Sequence, residues 1–454
     1  MKRFFSILLA AMLIAALALT ATGCKGNTGD TSSADGSFNG DLPGGVTGVS
    51  ADALAALSNS KDVRVYSHNE SNEEKKKKEA DFKEYFDSVY GGNLQFEYTV
   101  WEGWESKFIT DFAGGAAPDV IDLYSKLWPR AANRGLVYSL QDLEELGVQA
   151  LDHPTITDTF DIAEKNFTYK GEVYAMNVYN VTPGVMLVND SLLKDCGIEK
   201  TPKQLYNEGQ WNWDSFIDIM SKVTAVDKNG DGQADYRGYD GWDATYVMNT
   251  NEGYLVKLGE DGKLFANTSD NKVINGLQMY AGMAQNGYMI DRGRFQEGKT
   301  ATLVETHYNI CKTINNKGEG INFDWSVVPM PQGPDNETGS TIGGCDSYAI
   351  VSSTQNPQGA FNYIVAKVAY DKIYGEEDPD YDLEYWLDDD GDQMLNDLRS
   401  KVKQATWSGV GNIWGSQWEF WGDVRRTQSV SELLSAWTPW LEAQCETENS
   451  YATH

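Results

Sequence analysis

The stretch APDVIDLYSKLWPRAANRGLVYSLQDL, residues 117–143, passes from a proline into a short apolar strand, Pro118 to Leu123, and then into helical spacing from Trp128 to Leu136. A strand that leaves through a few polar residues into a helix is a β–α unit. The same unit precedes it twice. Asp62-Val-Arg-Val-Tyr66 alternates as a strand, Asn69 offers an N-cap, and Phe82, Tyr85, Phe86 and Val89 keep helical spacing up to Gly91-Gly92. Leu94 to Val100 alternates again, and Trp104, Phe108 and Phe112 mark a helix that stops at Gly114-Gly115. Strand, helix, strand, helix, strand predicts a parallel sheet wrapped by helices. Such sheets take ligands where strands end and helices begin, which points to three loops: Ser67 to Glu70, Trp101 to Glu105, and Tyr124 to Lys126.

The chain has 454 residues, more than one small core needs, and two domains are expected. Its start is an address. Lys2 and Arg3 precede an apolar run from Phe4 to Leu19, followed by Ala21-Thr22-Gly23-Cys24. This is a secretory signal ending at a cysteine. It resembles the lipobox of bacterial lipoproteins, in which the first mature residue carries a diacylglycerol, although Ala21 stands where leucine is usual. Residues 1–23 are therefore read as signal, with Cys24 as the lipidation site and the membrane reached through its palmitate-bearing anchor. Residues 24–60 are rich in Gly, Ser, Thr and Asp and cannot bury enough surface to offset their ordering entropy. They read as a tether between the lipid and a body that starts near Lys61.

With 37 Lys and Arg against 67 Asp and Glu, the net charge is −30, and a phosphate polymer would be repelled. Nucleic acid is excluded as a partner. The run Lys75 to Lys78 is the wet face of a helix, since Glu73, Glu74, Glu79 and Glu84 surround it. Cys196, Cys311, Cys345 and Cys445 show no paired or zinc-like spacing, and are read as buried thiols or as one long-range bridge. No GxSxG elbow, HExxH or P-loop is present, and His68, His153, His307 and His454 are too few and scattered for a triad or a zinc or manganese cluster. A glycosidase would need two carboxylates at a fixed separation, which no spacing here proposes. The chain is read as a non-enzyme.

Further motifs carry a family resemblance. Asn133 to Leu143, Tyr169-Lys-Gly-Glu-Val-Tyr-Ala175, Gly184-Val-Met-Leu-Val-Asn189 leading into Leu192-Leu193 and Gly197, Trp213-Asp214-Ser-Phe216, Phe295 to Ala301, and Asp324 to Gly333 follow Ala117 to Asp122 in order. Together they resemble the extracellular solute-binding proteins that feed sugars to ABC importers, the group that includes maltose-binding protein. The resemblance implies an α/β, two-lobed periplasmic-binding-protein-like fold, each lobe a sheet flanked by helices, with the ligand cleft at the hinge. It divides the body into a first lobe of 61–183 plus 346–402 and a second of 184–345 plus 403–454. It also implies a sugar or oligosaccharide ligand, permease subunits as partners, a monomer, and a place on the extracytoplasmic face of the membrane. A peptide or other small solute, or a ligand-presenting sensor role, would use the same fold.

A sugar presents apolar C–H faces and a rim of hydroxyls, so its site needs aromatic platforms with carboxylates and amides. The resemblance places His68 and Glu70 at the first strand exit and Asp122 and Tyr124 at the third. It adds Trp242, Glu305, His307 and Tyr308 in the second lobe, Asp346 at the return, and Trp414 near the end. Each is otherwise an ordinary core or surface residue. Tyr308 stands where the family often carries a stacking tryptophan, which leaves the preferred sugar open.

DKNGDGQADY, residues 227–236, matches part of a calcium loop: Asp227, Asn229 and Asp231 at the first, third and fifth positions, Gln233 at the seventh and Asp235 at the ninth. The twelfth is Gly238, where a glutamate should close the shell. No cofactor is required. A structural calcium is one reading of the loop, and a turn held by its own side-chain hydrogen bonds is the other.

Overall fold

Valines at alternate positions open the first sheet. Val63 and Val65 of β1 (Asp62–Ser67) are buried, and β1 runs parallel to both β2 (Asn93–Tyr98) and β3 (Val120–Leu123). The crossover helices α1 (Glu73–Tyr90) and α2 (Trp104–Ala113) cover it with Phe82 and Phe86, and with Trp104 and Phe108. Each pair is four residues apart and so shares a helix face. The helix expected over 128–136 is shorter, Arg130–Asn133. Pro129 has no N–H to extend it backwards, and Gly135, with φ of 62°, ends it.

This computed structural model describes residues 62–68, 72–90, 92–241, 243–290, 294–376, 378–404 and 413–451, with only the backbone at 413–415. Cys24 and the tether lie outside the described residues. Among those described, no helix is long and apolar enough to cross a membrane.

The chain then crosses between two sheets. β4 (Asn177–Pro183) belongs to the first, and β5 (Val185–Asn189) to the second. All of β5 is buried because both faces are covered: Met186 and Val188 pack into one cluster, Val185 and Leu187 into another. The second lobe continues with α3 (Trp213–Thr224), β6 (Arg237–Asp240), α4 (Asn271–Gln285), β7 (Met289–Ile290), β8 (Thr300–Leu303), α5 (His307–Asn315) and β9 (Trp325–Pro329). Its strands lie in the order β7-β6-β8-β5-β9. The start of α3 is fixed by Asn212, whose side chain accepts from Ser215 N.

β10 (Thr341–Ile350) returns to the first sheet, antiparallel to β3 and β4. α6 (Pro357–Tyr374) then packs on α1, with Tyr363 and Phe82 ring centroids 5.6 Å apart. α7 (Asp389–Arg399) differs from expectation. Leu383 and its residues Met394, Leu395 and Leu398 join Val185, Leu187 and Val327 beside the second sheet, although the first lobe was expected to run to 402. Leu395 and Leu398 form an apolar stripe, and that sheet face buries it. The chain rejoins the first sheet at β11 (Val402–Lys403) and ends in α8 (Ile413–Arg426) and α9 (Val430–Ser450), which pack in the second lobe through Trp421, Val424, Leu434 and Leu441.

Glycines let the crossing strands touch. Gly184 N donates to Ile342 O at 2.6 Å, and a Cβ on Gly184 would stand 2.6 Å from Ile342 Cγ2. Beside this contact the β4–β10 register shifts between Asp346 and Ser347, which leaves Tyr179 as the extra residue of a β-bulge. Away from the strands, the fully buried carboxylate of Glu448 on α9 accepts from Arg130 Nε at 3.1 Å and from Arg134 Nε and Nη2 at 3.0 and 2.7 Å. The last helix is thereby tied to the first lobe.

Candidate functional site

The strand exits of the first lobe converge on a layer of rings. Trp101, after β2, lies 5.3 Å from Tyr124 at 30°, and Trp104 lies 5.6 Å from the same ring at 28°. His68, after β1, packs edge-on to Trp101 at 5.3 Å and against Trp104 at 4.6 Å. Tyr124 is buried and committed: its hydroxyl accepts from Trp104 Nε1 at 2.9 Å and donates to Glu105. Trp101 is 48% exposed, so the layer presents one supported indole to solvent. Lys126 sits 5.2 Å from its centroid and pairs with Glu105 at 3.3 Å.

Asp122 and Asp346 lie at the bulge. Tyr179 donates to Asp122 Oδ1 at 3.0 Å and stacks on Tyr348 at 4.5 Å, while Asn180 Nδ2 donates to Asp346 at 2.7 Å. Tyr179 is 44% exposed, yet burial raises its phenol well above the usual range. Burial likewise pushes the Asp122 carboxyl up to about 6, opposed by the Tyr179 hydrogen bond and helped by Asp346, although its side chain keeps 29% of its surface. Burial also raises Asp346, and holds His68 down at about 4, so the imidazole is neutral at physiological pH. The 3.6 Å approach of His68 Nε2 to Asp122 is then no ion pair.

The second lobe contributes from across the hinge. His307, buried at the start of α5, bonds through Nε2 to Pro183 O at 2.6 Å, and burial lowers it to about 4. A neutral ring donates that bond, which makes His307 a fastener of the crossing rather than an open polar group. Glu305 accepts from Asn309 Nδ2 at 3.1 Å. Tyr246 is half-buried, and its phenol is raised by burial and then by Asp243 and Glu305. Its ring also faces the hinge, since a Cβ on Gly184 would lie 3.5 Å from Tyr246 Cδ1. Tyr308 stacks on Tyr381 at 4.7 Å.

The structure therefore brings His68, Asp122, Tyr124 and Asp346 together in the first lobe and sets Glu305, His307 and Tyr308 beside the crossing. Glu70 and Trp242 lie outside the described residues, as does the side chain of Trp414. Sequence reasoning missed Trp101, although it named its loop, and missed Tyr179, Asn180, Tyr246 and Tyr381. The exposed ring in a strand-exit loop was a usable signal for Trp101. Nothing in the local pattern announces the bulge that turns out Tyr179.

Residues 69–369 match the family of bacterial extracellular solute-binding proteins. The chain belongs to that family. Three solved structures place this solute-binding protein among relatives of the same two-lobed fold. The sugar-binding protein MalE from the phytopathogen Xanthomonas citri is 16% identical over 86% of this chain and 98% of its own, with a TM-score of 0.62. A cyclo/maltodextrin-binding protein complexed with maltotetraose is 14% identical over 86% and 98%, TM-score 0.60. UgpB from Mycobacterium tuberculosis, in complex with glycerophosphocholine, is 14% identical over 86% and 99%, TM-score 0.56. No curated protein matches the chain. At these identities the likeness establishes the fold, and the two complexes hold different ligands, maltotetraose and glycerophosphocholine.

The loop of residues 227–235 is held by its own hydrogen bonds. Asp227 accepts from the amides of Gly230 and Gly232 at 2.7 and 2.8 Å, Asn229 from Asp231 N at 2.8 Å, Asp231 from Gln233 N at 2.8 Å, and Asp235 from Lys228 N at 2.6 Å. Among the described residues, no three acidic, histidine or cysteine side chains gather in a metal-holding group. Cys311, Cys345 and Cys445 are buried free thiols, and Cys196 is half-buried and free.

Proposed function

We propose that this protein is the substrate-binding component of an ABC importer, holding a sugar or oligosaccharide in the cleft beside the Pro183–Gly184 crossing. The observation that carries the reading is the cluster in which the exposed rings of Trp101 and Tyr179 are linked through His68 to Asp122, with Asn180 and Asp346 beside Tyr179 at the bulge. Flat rings offer stacking to C–H faces, and desolvated carboxylates and Asn180 accept and donate hydrogen bonds to hydroxyls. Closure of the lobes about the crossing would bring Glu305 and Tyr246 onto the same ligand and hand it to the permease. The protein acts as a monomer without catalysis, anchored through a lipid on Cys24. Loss of membrane retention in Cys24→Ser checks the anchor.

A thermal-shift screen over glycans is the direct test. A ligand at 100 times its dissociation constant adds about 2.7 kcal/mol of stability. Oligosaccharides should raise the melting temperature, and Trp101→Ala should weaken that response without lowering the melting temperature of the free protein. Silence from every glycan, with a rise from a peptide or a phosphodiester such as glycerophosphocholine, would discard the sugar reading in favour of another small solute.

A further inference from the structure

A row of side chains runs from one lobe to the other. Tyr308, in the first turn of α5, has Tyr381 stacked at 4.7 Å and 35°, and Lys312 Nζ 4.3 Å from its ring centroid. One face of Tyr308 is therefore covered by Tyr381, and its ring is flanked by the Lys312 ammonium. Tyr381 in turn has Lys75 Nζ 3.8 Å from its centroid. Lys75 belongs to α1 of the first lobe, whereas Tyr381 precedes Leu383, which packs beside the second sheet. The row is Lys75, Tyr381, Tyr308, Lys312, and it joins the lobes.

Its position is the ligand side of both sheets. α1 follows the carboxyl end of β1, α5 follows that of β8, and His307, next to Tyr308, is fastened to Pro183. The segment that carries Tyr381 is pinned on its side chain and its backbone: Asn315 Nδ2 donates to the Asp380 carboxylate Oδ1 at 3.0 Å, and Trp386 Nε1 to Pro379 O at 2.8 Å. The ring itself is 45% exposed and can swing about two side-chain torsions while the segment stays put.

We propose that Tyr381 is a displaceable lid on the Tyr308 platform, caught across the cleft by Lys75, and that a ligand must move it to stack on Tyr308. This rests on the sugar reading above and sharpens it. Tyr381 occupies one face of Tyr308, so a ligand stacking on that face must gain more than the lid loses. The lid therefore selects for ligands long enough to reach Tyr308 while also engaging the carboxylates near the crossing.

Two measurements on the full mature chain test the lid. Small-angle scattering needs no ligand: Lys75→Met and Tyr381→Ala should each enlarge the radius of gyration by releasing the catch, and an unchanged radius in both overturns it. Calorimetric titration with maltotetraose, cellotetraose and mannotetraose tests displacement. An aromatic pair is worth about two- to tenfold in affinity, so Tyr381→Ala should tighten binding by about that factor while Tyr308→Ala weakens it. Weaker or unchanged binding in Tyr381→Ala overturns the lid, the former by making Tyr381 part of the platform. A wild-type protein that binds no glycan of the screen while a peptide or phosphodiester binds refutes the sugar reading and displacement by sugar, and scattering still decides the catch.

Discussion

Glu448 offers a sharp test of how the two lobes are held. Its side chain is fully buried, its carboxylate accepts three N–H groups from Arg130 and Arg134, and its carbonyl accepts from Asn133 Nδ2 at 2.6 Å. The arginine side chains are themselves only 14% and 18% exposed. Glu448→Gln keeps the shape and removes the charge, leaving two guanidiniums out of water without their counter-ion. Breaking a buried pair in this way costs about 3–5 kcal/mol. At about 2 °C per kcal/mol for a lobe near two hundred residues, the melting temperature should fall by roughly 6–10 °C. Differential scanning calorimetry is the assay, because Leu434, Leu441 and Cys445 hold α9 in the second lobe while Glu448 ties it to the first. Loosening that tie should also split one transition toward two. Glu446→Gln, exposed on the same turn, is the control and should leave the curve unchanged. If Glu448→Gln melts within about a degree of wild type, the arginines are solvated in solution and the tie between lobes does not exist.

Asp122 gives a prediction whose sign depends on pH. Its folded pKa of about 6 lies above the ordinary aspartate value, so the folded chain holds this proton more tightly than the unfolded chain. Stability from that difference is full below about pH 4 and is lost as pH rises through 6. Asp122→Asn should therefore add at most about 3 kcal/mol of stability at pH 7.5, read as a higher melting temperature, and none at pH 4. It should also weaken ligand binding, and an equal effect at both pH values would show that the carboxyl carries no buried charge. At the 227–235 loop, amide hydrogen bonds already satisfy the oxygens, so calcium should leave both melting temperature and ligand affinity unchanged. Heat of binding in a calcium titration, abolished by Asp227→Asn, would establish the ion.

The first lobe was legible because its signals are local. Val63 and Val65 in one strand, Phe82 and Phe86 four apart in one helix, and glycines at the helix ends each specify their own element. The crossing was legible only through resemblance. Nothing in the composition of Val185–Asn189 says that its two faces serve two separate clusters. The site was half legible for the same reason. His68 and Tyr124 fall in loops that the strand-exit rule names, Asp122 came through the resemblance, and the structure sets the three near one another. Tyr179 depends on a one-residue register shift between strands whose paired residues, Asp346 and Asn180, are 166 positions apart. Tyr381 depends on a segment changing lobes after α6.

These two cases share a physical cause. Alternation and helical spacing encode which face of an element is apolar, but not which of two sheets will cover that face. The apolar stripe of Leu395 and Leu398 would satisfy either lobe by burial alone. What carries the segment to the second lobe also brings Tyr381 over Tyr308 and within 3.8 Å of Lys75. A packing choice that periodicity leaves undetermined thus decides which aromatic ring lies against Tyr308.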